Sequence, residues 1–336
     1  MSEVKPNMVL KTGLRGPGTF IRIGILPLLL VIVIVMFAST SPNFLTYQNL
    51  FNVVRQSSYL IIVTLGQLVV LLTAGLDLSV GSVIALVSVV SALVMGSLGD
   101  VSPGLAIAGG VGAGLATGIA VGAVNGLGVT IFRVNPFMMT LGMLSIAFGL
   151  ALTLSGGTPI YGMPASFGDF FGYGSLLGIP APVCFTAVIL VVVYLYLAKT
   201  RAGRYVYAIG SNNRAAELSG VNTRLHVFAA YVVSGVLAAA AGILLTARVG
   251  TGEANIGQDM VLQSIAACII GGVSLFGGVG RVGNVVLSAL FIALLTNGMN
   301  LVGIQSYTQQ VVLGVVLISA IILDQLRLRY FSNHAD

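Results

Sequence analysis

The chain has 336 residues, of which 57% are hydrophobic and 7% charged. Soluble domains average about 25% charged residues, so this composition cannot cover a water-exposed particle of 34.5 kDa, and the high hydrophobicity excludes a disordered chain. The formal charge of +6 then reads as basic loops beside an anionic lipid leaflet rather than as a nucleic-acid surface.

The mean hydropathy of +1.05 points to an all-α, polytopic transmembrane helical bundle with short loops. About ten spans of roughly 20 residues would absorb the apolar residues available. In chain order the apolar runs lie at 23–40, 57–75, 79–98, 104–126, 135–155, 181–198, 225–247, 260–277, 283–302 and 306–324. Residues 1–22, with Lys5, Lys11, Arg15 and Arg22, form a basic N-terminal tail. No A-x-A-like cleavage site follows the first run, so an uncleaved span is expected. Residues 23–324 then make a single transmembrane domain, and 325–336 a C-terminal tail. The break at Gly75–Ser79 is tight enough for a discontinuous helix. With the N-terminus inside and the spans alternating, inner segments hold thirteen Lys and Arg, and outer segments only Arg55 and Arg248. This asymmetry places both termini in the cytoplasm. Five of the thirteen (Lys199, Arg201, Arg204, Arg214 and Arg224) crowd the inner loop 199–224.

Forty-four residues are glycine, about twice the usual share. Gly110, Gly114, Gly118, Gly122 and Gly126 recur every four residues. On a helix such a row drifts by about 40° per step. It suits close helix packing in lipid, or a seam along which helices slide. The stretch Gly278-Val-Gly-Arg-Val-Gly283 matches G-x-G-x-x-G, but it joins two hydrophobic helices with no strand before it and no acidic residue at the required distance. A tight cytoplasmic turn is expected there, not a dinucleotide site.

No P-loop, G-x-S-x-G or H-E-x-x-H occurs, so the chain is not read as an enzyme. No catalytic residue, cofactor or metal site is expected on it, and energy for transport must come from an ion gradient or another subunit. Cys184 and Cys268 sit in apolar runs as small fillers. His226 and His334 are far apart in the chain and belong to no ligand pattern.

Asp77 lies between two apolar runs in AGLDLSVGS. An ionisable group at membrane depth is a candidate for function, here as part of a substrate pathway with Ser79. Equally, Asp77 or Ser79 could cap the helix that follows. Asn297 and Asn300 are three apart, on one helix face. They could contact a polyhydroxyl solute, or bridge helices. There is no Trp for stacking on a sugar. In the inner loop, Asn212 or Asn213 can cap a short helix through Leu218, Gly220 can end it, and Arg214 can pair with Glu217. Such a helix suits docking into a partner's groove, or anchoring at lipid headgroups.

Five stretches, taken together, resemble the permease subunits of monosaccharide ABC importers, the ribose permease type. They are Ala74–Ser82 (AGLDLSVGS), Asn135–Gly142 (NPFMMTLG), Tyr207–Gly220 (YAIGSNNRAAELSG), Ile265–Gly280 (IAACIIGGVSLFGGVG) and Asn297–Gly303 (NGMNLVG). One departure is Ser211-Asn212, where the family usually has Gly-Asn. The resemblance implies that Asn212, Arg214, Ala216, Glu217, Ser219 and Gly220 form the cytoplasmic coupling loop that docks on an ABC ATPase subunit. It also implies a second permease copy, a periplasmic sugar-binding protein that carries most of the selectivity, and ATP with magnesium on the partner ATPase. The chain would then be a multi-pass permease of the bacterial inner membrane, surrounded by lipid and binding no nucleic acid. The binding protein would dock on outer loops 39–56, 156–180 and 248–262, with Asp169, Glu253 and Asp259 as contacts. The competing expectations are an ion-coupled secondary transporter using Asp77, and a membrane scaffold. The length of the ordered inner loop and the absence of any large soluble domain weigh against the scaffold.

Overall fold

The computed structural model of the protein describes residues 26–99 and 101–332, with side chains as far as Ile322. The expected tail 1–22 and the last four residues lie outside that range. Each of the ten apolar runs coincides with one helix. Seven helices are long and apolar enough to cross a membrane: α2 (Tyr47–Leu72), α3 (Val80–Leu98), α4 (Pro103–Thr130), α5 (Pro136–Ser155), α6 (Ala181–Lys199), α9 (Thr223–Val249) and α11 (Val282–Leu301). The other three runs form α1 (Leu26–Thr40), α10 (Met260–Ile270) and α12 (Ser306–Ser332). Between α6 and α9 lie two short helices, α7 (Arg201–Ser211) and α8 (Asn213–Leu218). The only sheet among the described residues is an antiparallel hairpin, Ser175–Leu176 with Ile179–Pro180. Its two turn residues, Leu177 and Gly178, have positive φ, as a tight two-residue hairpin requires.

Three boundaries depart from the apolar pattern. Helix α2 begins ten residues before the expected position 57, because Thr46 caps it by accepting a hydrogen bond from the Asn49 N–H. Helix α12 runs to Ser332, past the expected end at 324. The run 260–277 is helical only to Ile270. Eleven residues rise about 16 Å, roughly half of a hydrocarbon core. Gly271 and Gly272 then end the helix, Gly272 with φ 75°.

The core is centred on α2, whose residues 57–72 are all buried. Helices α6, α9, α10 and α11 pack against it, and α4, α5 and α6 keep most of their surface exposed. A central helix is apolar on every side because every side meets protein.

The glycine row decides how α4 packs. All five glycines are buried. A Cβ on Gly110 would meet Met95 and Ser91 of α3, and one on Gly114 would meet Ser91 and Val87. Gly118, Gly122 and Gly126 instead face α9, against Gly235, Tyr231 and Phe228. The drift of about 40° per step therefore carries one row from one neighbour to the next. At the centre, Gly118 and Gly235 are in direct backbone contact, and a Cβ on either would strike the other's carbonyl oxygen or carbon.

Gly118→Ala forces α4 from α9 and should cost about 1–3 kcal/mol, read as a lower Tm in detergent. Gly112, on the same helix, has nothing within 4 Å of an added Cβ, and Gly112→Ala should leave Tm unchanged. Equal melting of the two variants would rule out the seam.

Candidate functional site

Helix α2 stops at the break expected from the sequence. Ala74 takes a left-handed backbone, φ 61°, and the chain runs non-helically to Ser79. Asp77 holds this segment. Its Oδ1 accepts from the Ser79 N–H at 2.9 Å and from Ser79 Oγ at 2.6 Å. Its Oδ2 accepts from Ser234 Oγ on α9 at 2.8 Å. Asn125 Nδ2, on α4, donates to Ser79 Oγ at 2.9 Å. Asp77 is 2% exposed and Ser79 fully buried. The carboxylate thus ties the break to two other helices through bonds made wholly inside the chain.

Asn297 and Asn300 share a helix face but not a role. Asn297 and Asn49 of α2 exchange two amide hydrogen bonds, both 2.9 Å, so Asn297 bridges helices. Asn300 is exposed, and its Oδ1 accepts from Gln309 Nε2 at 2.7 Å. Of the four pathway candidates, Asp77, Ser79 and Asn297 are buried and bonded within the chain. Asn300 alone presents surface.

The stretch 199–224, expected as an inner loop, is two helices with a cap at every junction. Thr200 Oγ1 accepts from Gly203 N–H, Asn212 Oδ1 from Ala215 N–H and Asn222 Oδ1 from Leu225 N–H. Asn212, not Asn213, is therefore the cap of α8. Past the other end, Gly220 has φ 80°, and the N–H groups of Gly220 and Val221 bond back to Glu217 and Ala216, closing α8 as a Schellman turn. Glu217 is doubly engaged, by Arg214 at 3.3 Å and by Thr223 Oγ1 at 3.2 Å. Ala216 is buried, whereas Asn212, Arg214, Glu217, Ser219 and Gly220 are exposed. Leu218 is 76% exposed, an apolar side chain displayed at the end of a rigid helix.

Helix α7 seats this unit on the bundle. Val206 and Ile209 are buried. Tyr207 donates its hydroxyl to the Gly280 carbonyl at 3.2 Å. Burial raises the phenol pKa against the opposing pull of Arg281, so the donor proton stays on at neutral pH. Gly210 lies against the Leu72 carbonyl and Gly278, leaving no room for a Cβ. The Gly278 N–H donates to that same Leu72 carbonyl at 3.0 Å. The end of α7, the break after α2 and the 277–280 turn therefore meet at one point, with Gly278–Gly283 acting as the tight turn expected. Beside it a cavity of about 660 Å³ is lined by Thr73, Arg133, Asn212, Glu217, Arg224 and Tyr231, among others.

The stretch 248–262 is not a free outer loop, which corrects the sequence expectation. After Gly250 (φ 78°) the chain turns back along α3. Gly252 exchanges both backbone hydrogen bonds with Ile160 at 2.9 Å. The Glu253 N–H donates to Ser88 Oγ at 3.1 Å, Ala254 is buried, and Gly257 lies against Ile84. Sequence reasoning also missed Ser234 and Asn49, the partners of Asp77 and Asn297. Both are short polar residues in apolar helices, and nothing local marks which distant residue they meet.

A family model described as branched-chain amino acid transport system / permease component matches residues 49–321. The D-allose transport system permease protein of Escherichia coli (strain K12) is 38% identical over 300 residues, 89% of this chain and 90% of that protein. The ribose import permease protein of Bacillus subtilis (strain 168) is 40% identical over 299 residues, covering 88% and 90%. The galactose/methyl galactoside import permease protein of Escherichia coli (strain K12) is 35% identical over 321 residues, covering 92% and 96%. No solved structure matches the chain. With its apolar helices and a match that spans most of its length, the chain belongs to the ABC-importer permease family and is a multi-pass protein of the inner membrane.

Proposed function

We propose that this chain forms the translocation pathway of an ATP-driven importer for a monosaccharide or related polyol. A periplasmic binding protein delivers the solute, and a separate ATPase subunit drives the cycle. Two copies of the chain enclose the pathway, each with ten spans and both termini in the cytoplasm. The solute class follows the names of the allose, ribose and galactose relatives. The observation that carries the mechanism is the 199–224 unit. A doubly capped helix with an exposed Leu218, Arg214 and Glu217 is shaped to enter a groove on another protein. Its seat at Gly210 touches the break that Asp77 holds. A push on α8 is thereby delivered to the one place where α2 and α3 are not continuous.

Glu217→Arg reverses the charge on the docking face and breaks the contacts to Arg214 and Thr223. ATP-dependent sugar uptake and copurification with the ATPase should fall at least tenfold, with membrane insertion retained. Unchanged uptake would sink the docking assignment.

Asp77 separates this reading from ion-coupled transport. Asn at position 77 keeps an acceptor for Ser79 and places a donor toward Ser234, but it cannot carry a proton or bind sodium as a charge. Asp77→Asn should therefore keep most of the uptake. Asp77→Ala strands the hydroxyls of Ser79 and Ser234 and should cost on the order of 3 kcal/mol, seen as a lower Tm in detergent. Loss of uptake in a well-inserted Asn variant would favour the ion-coupled alternative.

A further inference from the structure

The segment 250–270 packs along the bundle as half irregular, turn-rich chain and half helix. Gly257 packs on Ile84, which lies fourteen residues before the Leu98 end of α3. At 1.5 Å per residue that is about 20 Å below the helix end. Helix α10 begins only at Met260. Ten residues of non-helical chain, with Glu253 and Asp259 among them, thus lie alongside a membrane-spanning helix.

One side of this irregular half is engaged within the chain, by hydrogen bonds to Ile160 and Ser88 and by packing on Ile84. The other side is open. Asn255, Gln258 and Asp259 are exposed, as is Gln310 of α12. Gln310 Nε2 donates to Asp259 Oδ1 at 3.1 Å, and Gln258 Nε2 to Asn255 Oδ1 at 3.4 Å. Asp259 makes no helix-capping bond. The only ion pair among the described residues is Arg214–Glu217, so this carboxylate has no basic partner there. Irregular backbone is tolerated at membrane depth only against protein or a water-filled cavity. A carboxylate beside hydrocarbon is costlier still. The open face therefore meets water or another protein, not lipid.

We propose that Asn255, Gln258, Asp259 and Gln310 form a wall of the aqueous pathway and hydrogen-bond the hydroxyl groups of a neutral polyol as it passes. This rests on the importer reading above. The chemistry suits the cargo: a carboxylate accepts from two neighbouring hydroxyls, and each amide both donates and accepts. A neutral polyol satisfies such a surface without a charge of its own. Asp77, Ser79 and Asn297 are spent inside the chain and take no part in it.

Two measurements test this in the assembled importer. In a Cys184→Ala background, Gln258→Cys and Gln310→Cys should react with a charged, membrane-impermeant thiol reagent, and Leu150→Cys, on the outer surface of α5, should not. If Gln258→Cys and Gln310→Cys both stay unreactive, the open face is covered and the proposal is overturned, whatever the cargo. Uptake is then measured with labelled ribose, xylose, arabinose, galactose and inositol. Asp259→Leu and Gln310→Leu should each lower uptake of the transported sugar at least fivefold at equal membrane level, and Asp259→Asn should restore most of it. If the wild-type importer carries a sugar and the Leu variants carry it equally well, the hydroxyl contacts are refuted and the importer reading stands. If the wild type carries none of the five, the importer reading fails first and the polyol assignment falls with it, whereas thiol access still decides the water-facing wall.

Discussion

Inside a bilayer every backbone N–H and C=O needs a partner in the protein, because lipid offers none. Where this chain leaves the helix, the rest of the structure is arranged to supply those partners. The break after α2 is filled by Asp77, which binds the Ser79 N–H, and by the Gly278 N–H, which takes the Leu72 carbonyl. The irregular half of the 250–270 segment is met by Ile160 and by Ser88, whose hydroxyl also accepts from Thr246 Oγ1 at 2.7 Å. Each break thus borrows from residues far away in sequence. Those borrowings join α2, α3, α4 and α9 into one block.

The same economy ties the 199–224 unit to the block of long helices. Helix α8 is short and would not hold its shape alone; caps at both ends give it one. Helix α7 then seats on glycines, where backbone meets backbone with no side chain to yield. A displacement at Leu218 meets stiff material until it reaches the break at 73–79. In the importer proposed above, docking energy from a partner would be delivered to one junction instead of being absorbed along a loop.

Much of this was legible in the sequence. All ten apolar runs are helices, because hydropathy reports burial in lipid or protein alike. The glycine row, the break before Ser79, the Asn212 cap, the Gly220 stop and the Arg214–Glu217 pair rest on local spacing, and local spacing survives folding. What failed was long-range. Gly250, Glu253, Asn255 and Gly257 have loop composition, and only their contacts with Ser88 and Ile84 draw them into the bundle. The spacing of Asn297 and Asn300 gives a shared face on α11, but not that Asn49 waits opposite one of them. Helix α10 reads as a full span because the glycines after it sit in apolar sequence. The left-handed backbone of Gly272 ends the helix halfway.

Ala74 gives the junction a further property. A non-glycine residue held at φ 61° stores on the order of 1 kcal/mol, and here its methyl group faces Gly277, which has no side chain to collide with it. Relaxing that backbone into the right-handed region would carry helical geometry past Thr73 to Ala74, two residues beyond the Leu72 end of α2. The chain beyond would then be redirected, and Asp77 would leave Ser234. An importer must visit two shapes in each cycle, and a residue that gains by leaving the present one lowers the threshold for the change.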